Sequence, residues 1–135
     1  MAGLGPNGEV LLEYSIYDAL KAGFGKIVFI IRKDIEEDFN RLVVSRLPKN
    51  IPVDFAFQEL NKLPLNFSPP SERSKPWGTA HALWCAKDVV KGNFAVLNAD
   101  DFYGLTGFQK MADFLKTGQE NQMEGAVVGY RLDKT

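Results

Sequence analysis

The run Lys26-Ile27-Val28-Phe29-Ile30-Ile31 constrains the fold more than any other stretch of this chain. It is β-branched and aromatic throughout and does not alternate with polar residues. A strand of that kind is built to be covered on both faces, which implies a parallel sheet between layers of helix. The flanking pattern agrees. A helix is predicted over residues 9–22, where Leu12, Ile16, Ala19 and Leu20 fall on one face. Gly23 and Gly25 end it. A charged helix is predicted over 34–46, with Ile35, Phe39, Leu42 and Val43 as its apolar stripe. A second strand covers 53–58, and residues 59–75 form a long polar loop with Pro64, Pro69 and Pro70. Loops of that length inside a domain are usually functional or mobile. A helix over 78–90 carries Ala82, Cys85, Ala86 and Val89 on one side. A third strand (94–98), a helix (107–116) and a last strand (125–130) complete the chain. The order α-β-α-β-α-β-α-β predicts a layered α/β domain with a mostly parallel sheet. The opening Gly-Pro-Asn-Gly is turn chemistry. A start on a loop and a helix, rather than a strand, hints at a piece of a larger domain.

Composition excludes several function classes. Hydrophobic residues make up 45% and charged residues 24%, close to a soluble globular average, so global disorder is not expected. The 135 residues are the length of one domain. Sixteen Lys+Arg against seventeen Asp+Glu give a net charge of −1 with no basic stripe, which argues against a nucleic-acid binder. One cysteine rules out an internal disulfide framework and fits a reducing compartment, so a cytoplasmic location is expected. One histidine rules out zinc sites that need two. No apolar run has the length of a membrane span, and the N-terminus lacks the basic and apolar regions of a signal peptide.

In open α/β sheets, ligands bind beyond the carboxyl ends of the strands. Three segments fall there. In Asn98-Ala99-Asp100-Asp101-Phe102-Tyr103-Gly104, two adjacent carboxylates follow an apolar run. Neighbouring residues in extended chain point opposite ways, so one Asp can face a site while the other caps the next segment. Asp100 is the expected ligand for Mg²⁺, which binds through one or two carboxylates plus phosphate oxygens. The equal alternative is that both are turn formers, a role Asp favours. In Lys75-Pro76-Trp77-Gly78-Thr79-Ala80-His81-Ala82, Gly and Thr at a helix start permit close approach of a flat ring or phosphate. A plain helix N-terminus capped by Thr79 is the commoner case, and Lys75 is either a phosphate contact or a solvated charge. Gln58 ends the second strand. Its amide donates and accepts at once, which suits the edge of a nucleobase, although a strand-end Gln is more often a polar boundary.

Other candidates weaken. His81 and Cys85 are four apart on one helix face and can touch, but a metal site needs further ligands. Cys85 lies on the apolar stripe and reads as core. The glycine-rich opening matches neither dinucleotide nor P-loop spacing. Trp77, Phe102 and Tyr103 can stack on a base, yet aromatics more often close a core.

Taken together, these segments resemble the nucleotidyltransferase family of sugar-nucleotide synthases over nearly the whole chain. Gly5-Pro6-Asn7-Gly8-Glu9 followed by Tyr14-Ser15-Ile16-Tyr17-Asp18-Ala19 is similar to the segment after that family's signature loop. Lys75 to Ala82 is similar to its Gly-Thr-Ala helix start, and Phe94 to Gly104 to the strand that delivers a metal-binding Asp. The resemblance implies a Rossmann-like three-layer α/β/α fold and a single partial nucleotidyltransferase domain over residues 1–135. It implies transfer of a nucleotidyl group from a nucleoside triphosphate to a sugar phosphate or similar phosphorylated small molecule, with Mg²⁺ and release of pyrophosphate. By the same resemblance Asp100 coordinates Mg²⁺ and acts with Lys75 in catalysis. Gln58 reads the base, and Gly78, Thr79 and Ala80 let the base or ribose approach the backbone. In-line phosphoryl chemistry needs positioning and charge neutralisation rather than a protein nucleophile, which a chain with one His satisfies.

The family's first strand and its Gly-rich, Arg- and Lys-bearing loop have no counterpart here, nor do its second metal-binding Asp and sugar-binding segments. The expectation is therefore an incomplete sheet, little turnover by these residues alone, and self-association through exposed sheet edges. The alternatives are a Rossmann-like module that binds a nucleotide without transferring it, and a structural piece in which Asp100 and Gln58 are merely surface residues. An oxidoreductase would need a Gly-x-Gly-x-x-Gly turn after a strand, and none is present.

Overall fold

A computed structural model describes residues 3–118, 124–131 and 133. The order among them is α1 (Leu11–Lys21), β1 (Ile27–Ile31), α2 (Glu36–Leu42), β2 (Val53–Phe57), α3 (Thr79–Cys85) and α4 (Gly104–Thr117). The two strands form one parallel sheet, so the fold is a small α/β arrangement. The chain divides into two units, Gly25–Gly92 and Met1–Phe24 with Asn93–Thr135.

The unit Gly25–Gly92 holds the sheet. Its register pairs Ile27 with Val53, Phe29 with Phe55 and Ile31 with Phe57. Residues two apart share a face, so these aromatic and branched side chains line one side. Phe39 of α2 lies edge-on to Phe29 (4.8 Å) and to Phe55 (6.3 Å), which seats α2 on that face. Phe29, Ile31, Phe39, Val43, Ala56, Cys85 and Ala86 are buried. α3 packs against both strands. β1 departs from the expected two-sided burial. Phe29 and Ile31 are buried while Val28 and Ile30 are half-buried. Each strand of a two-stranded sheet is an edge, and its second face stays partly open.

The helix expected over 34–46 is broken into a 3₁₀ turn at Lys33–Ile35, α2, and a second 3₁₀ turn at Val44–Arg46. Two β-branched residues, Val43 and Val44, sit at the break. The Ser45 hydroxyl donates to the Arg41 carbonyl at 2.7 Å and competes for the helical acceptor. α3 likewise ends at Cys85 rather than at residue 90. The Lys62 ammonium donates to the Cys85 carbonyl at 2.9 Å, and the N–H groups of Val89 and Val90 both turn to the Ala86 carbonyl.

In the unit Met1–Phe24 with Asn93–Thr135, α1 packs against α4. Leu12, Ser15 and Ile16 form the buried stripe of α1, and Phe108 and Ala112 that of α4. α1 stops where the glycines predict. The Phe24 N–H donates to the Ala19 carbonyl and the Gly23 N–H to that of Leu20. Gly23 takes φ +101, the left-handed turn of a Schellman ending. That ending aims Phe24 edge-on at Phe108, 6.5 Å away. α4 begins at Gly104, three residues before the expected start, and Gly104 itself takes φ +71.

The strands expected over 94–98 and 125–130 do not form. Neither run pairs in a sheet, and Phe94, Val96 and Val127 are exposed. Apolar, β-branched sequence makes a strand only when another strand takes up its backbone N–H and C=O groups, and among the described residues none lies against these runs. Each instead is tied by side chains. Tyr103 Oη accepts the Asn98 N–H at 3.0 Å, and the Tyr130 hydroxyl donates to the Phe102 carbonyl.

Candidate functional site

A cleft of about 300 Å³ opens in the unit Gly25–Gly92, lined by Arg32, Lys33, Asp34, Gln58, Trp77 and His81 among others. Arg32–Asp34 follow β1 and Gln58 follows β2, so the cleft lies where ligands bind in parallel sheets.

Gln58 extends the ladder, its N–H donating to the Ile31 carbonyl at 2.9 Å. Its side chain then reaches across the loop. Nε2 lies 2.8 Å from the Trp77 carbonyl, 3.3 Å from the Gly78 carbonyl and 3.2 Å from His81 Nδ1. On the other side of the imidazole, Nε2 is 2.7 Å from the Lys62 carbonyl. The loop is clamped as well. The Trp77 indole donates to the Leu60 carbonyl at 3.0 Å, and the Arg73 guanidinium covers the Trp77 ring at 3.8 Å. Arg73 also donates to the carbonyls of Lys75 and Pro76. A segment without helix or strand is thus held by polar groups rather than by a ladder, as a loop needs when it must keep one shape.

Gly78 is the N-cap of α3, with φ −69 and ψ −171. A Cβ placed on it would meet nothing within 4 Å. The chain's own packing does not require a glycine there, and its backbone faces open space. Thr79 does not cap the helix. It is the first helical residue, and no side chain caps this end. Thr79, Ala80 and Lys75 are exposed. The predicted residues Gln58 and Gly78 therefore meet directly, with Thr79 and Ala80 on the turn that follows.

Asp100 belongs to the other unit. The adjacent carboxylates divide their roles. Asp101 Oδ2 accepts from Asn98 Nδ2 at 2.8 Å and from the Tyr103 hydroxyl at 3.3 Å, which closes the turn. Asp100 is exposed and has no hydrogen-bond or ion-pair partner among the described residues. Burial of its ring pushes the Tyr103 hydroxyl above the usual tyrosine range, against the Asn98 N–H, which favours the phenolate; the neighbouring Asp101 carboxylate adds to the rise.

Cys85 is fully buried, as expected of core, with Sγ 3.9 Å from His81 Nδ1. Phe102 is exposed, and Tyr103 stacks on Tyr130. Two features escaped the sequence reading. The His81–Gln58 pairing spans 23 positions and had no local signal. Arg32, Lys33 and Asp34 were findable, because the strand-end rule applies to β1 as it does to β2. Arg32 donates to Asp34 at 2.9 Å, and that bond holds the Asp34 carboxyl below its ordinary range. Lys33 lies 4.1 Å over the Phe57 ring.

No helix among the described residues is long and apolar enough to cross a membrane. No curated protein matches the chain. The family model described as nucleotidyl transferase matches residues 5–134, and on that match the chain belongs to the nucleotidyl transferase family.

Proposed function

We propose that this domain serves transfer of a nucleotidyl group from a nucleoside triphosphate to a phosphorylated small molecule, a sugar phosphate by the resemblance of its segments. A phosphate oxygen of the acceptor forms a bond to the α-phosphorus, the bond between the α- and β-phosphates breaks, and pyrophosphate leaves with the electron pair. The observation that carries the reading is the open backbone at Gly78 beside the Gln58 amide, at the carboxyl end of a parallel sheet. A bare glycine admits a flat ring, and an amide reads a base edge. Thr79 and Ala80 extend that open edge, and exposed Lys75 offers a cation to phosphate.

Asp100 fits Mg²⁺. It is an exposed carboxylate that no neighbour neutralises, on a turn closed by Asp101. Among the described residues no three His, Cys, Asp or Glu side chains converge, but Mg²⁺ asks for only one or two carboxylates when phosphates and water supply the rest. When bound, the ion neutralises charge on the phosphates. The two-stranded sheet is read as part of a Rossmann-like three-layer α/β/α arrangement, supported by its parallel pairing. The exposed apolar runs around Phe94 and Val127 support self-association. The fully buried free thiol fits a reducing cytoplasm.

The test is incubation with each α-labelled nucleoside triphosphate, Mg²⁺ and a sugar 1-phosphate, beside a binding measurement. Nucleotide binding that weakens in Gln58→Ala is the expected result, with little product from these 135 residues alone. Binding without any product would favour a nucleotide-holding module, and no binding of any of the four would sink the assignment of the cleft.

A further inference from the structure

We propose that His81 is a positioning residue that locks the Gln58 side-chain amide with its nitrogen turned inward, so that the cleft offers Oε1 and reads a hydrogen-bond donor on its ligand. This rests on the cleft being the nucleobase site.

The argument is a count of donors and acceptors. Three groups face the amide nitrogen: the carbonyls of Trp77 and Gly78, and His81 Nδ1. The two carbonyls can only accept. Their positions are fixed, since the Gly78 carbonyl also takes the N–H groups of His81 and Ala82 in the first turn of α3. Which role Nδ1 plays depends on the tautomer, and the tautomer is set from the far side of the ring. His81 Nε2 is 2.7 Å from the Lys62 carbonyl, which can only accept, so Nε2 carries the proton and Nδ1 is left as an acceptor. Lys62 is itself anchored at both ends, its N–H donating to the Glu59 carbonyl and its ammonium to that of Cys85.

A flipped amide would set Oε1 against three acceptors and strand its NH₂ group, an arrangement disfavoured several-fold at each contact. The amide therefore has one orientation. Oε1 has no partner in the chain, and no buried side-chain oxygen among the described residues is left unpaired, so Oε1 is open to solvent on a residue that lines the cleft. An acceptor selects a ring N–H or an exocyclic amine and rejects a lone pair. Ring imides such as uracil, and bases with an amine on the facing edge, satisfy it. Methylation of the contacted nitrogen removes the match.

Two measurements on the full chain test this. Nitrogen-15 NMR of the imidazole should report the Nε2–H tautomer for His81, a signature that a merely space-filling residue would not fix. ATP, CTP, GTP and UTP are then titrated against the natural chain, Gln58→Ala and His81→Phe, with 3-methyl-UTP as the donor-blocked partner of UTP. His81→Phe should lower affinity for the preferred nucleotide roughly three- to tenfold, the share of one hydrogen bond, and should narrow the spread among the four. An Nδ1–H tautomer overturns the proposal. So does a His81→Phe chain with unchanged preferences when Gln58→Ala has weakened binding. A Gln58→Ala chain that binds all four as before overturns the nucleobase reading itself.

Discussion

Replacing Gly78 by alanine separates a glycine kept for the fold from one kept for a ligand. The backbone there has φ −69 and ψ −171, which alanine adopts freely, and the added methyl meets no atom within 4 Å. Two small terms set the stability change. Alanine caps a helix less well than glycine, a loss of about 0.5–1 kcal/mol. Alanine also has fewer unfolded conformations, a gain of about 0.4–1 kcal/mol. They offset, so the thermal midpoint should move by no more than about 2–3 °C. The ligand sees the methyl differently. A ring or ribose lying against this backbone would have to shift, and overpacking of that kind costs about 1–3 kcal/mol, roughly a five- to 150-fold loss of affinity. Calorimetric titration of the nucleoside triphosphates, beside a melting curve, reads both quantities. Unchanged affinity in a folded Gly78→Ala chain would mean that nothing approaches the backbone there, and the site would have to be sought elsewhere in the cleft. A large fall in the melting temperature would mean the opposite error, that the glycine serves the fold.

The two carboxylates of the 98–103 turn should behave differently. Asp100→Asn should abolish Mg²⁺-dependent enhancement of nucleotide binding while the melting temperature holds. Asp101→Asn should lower the melting temperature by disturbing the bonds to Asn98 and Tyr103, and equal effects in the two variants would refute the division of roles. Cys85 should resist maleimide in the folded chain, being fully buried, and Cys85→Ala should cost about 1 kcal/mol through the lost packing of sulfur; rapid labelling under native conditions would contradict its place in the core. Tyr103 should ionise above the usual tyrosine range near 10. Its raised value means the folded state favours the neutral phenol, so its contribution is whole below that range and is lost as pH rises through the higher folded value. The tyrosinate absorbance missing from Tyr103→Phe should therefore appear late, and early appearance would refute the burial of the ring.

The readable parts of the sequence were those whose cause is local. The Schellman ending of α1 follows from a glycine at one position, and β1 and β2 from short dense apolar runs. Gln58 and Gly78 were marked by place, one after a strand and one before a helix. What stayed hidden depends on partners distant in sequence. The α3 ending is set by the Lys62 ammonium on the Cys85 carbonyl, 23 positions away. The runs at 94–98 and 125–130 have the composition of strands, yet composition does not supply a neighbour, and without one the same residues lie exposed. The Asp100 and Asp101 pair shows the mixed case. Alternation along extended chain indicated that the two would divide their work, but only the positions of Asn98 and Tyr103 show which one closes the turn.

What the cleft leaves over, once its internal bonds are counted, is more informative than what it contains. The Trp77 indole, the Arg73 guanidinium, both nitrogens of His81 and the Gln58 NH₂ group are all engaged within the chain. Groups so engaged hold shape and have little to offer a ligand. Beside these, the Gln58 amide oxygen has no partner among the described residues, the Gly78 Cα leaves open space, and the Lys75 side chain is exposed. One is an acceptor for a base edge, one is room for a flat ring or sugar, and one is a cation suited to phosphate. These are the three chemical parts of a nucleotide. On the proposed reading, the satisfied network behind them holds the walls against which the ligand would lie. Because that network is complete without a ligand, binding need not reorganise the walls, and the free energy of contact goes into affinity rather than into ordering the loop.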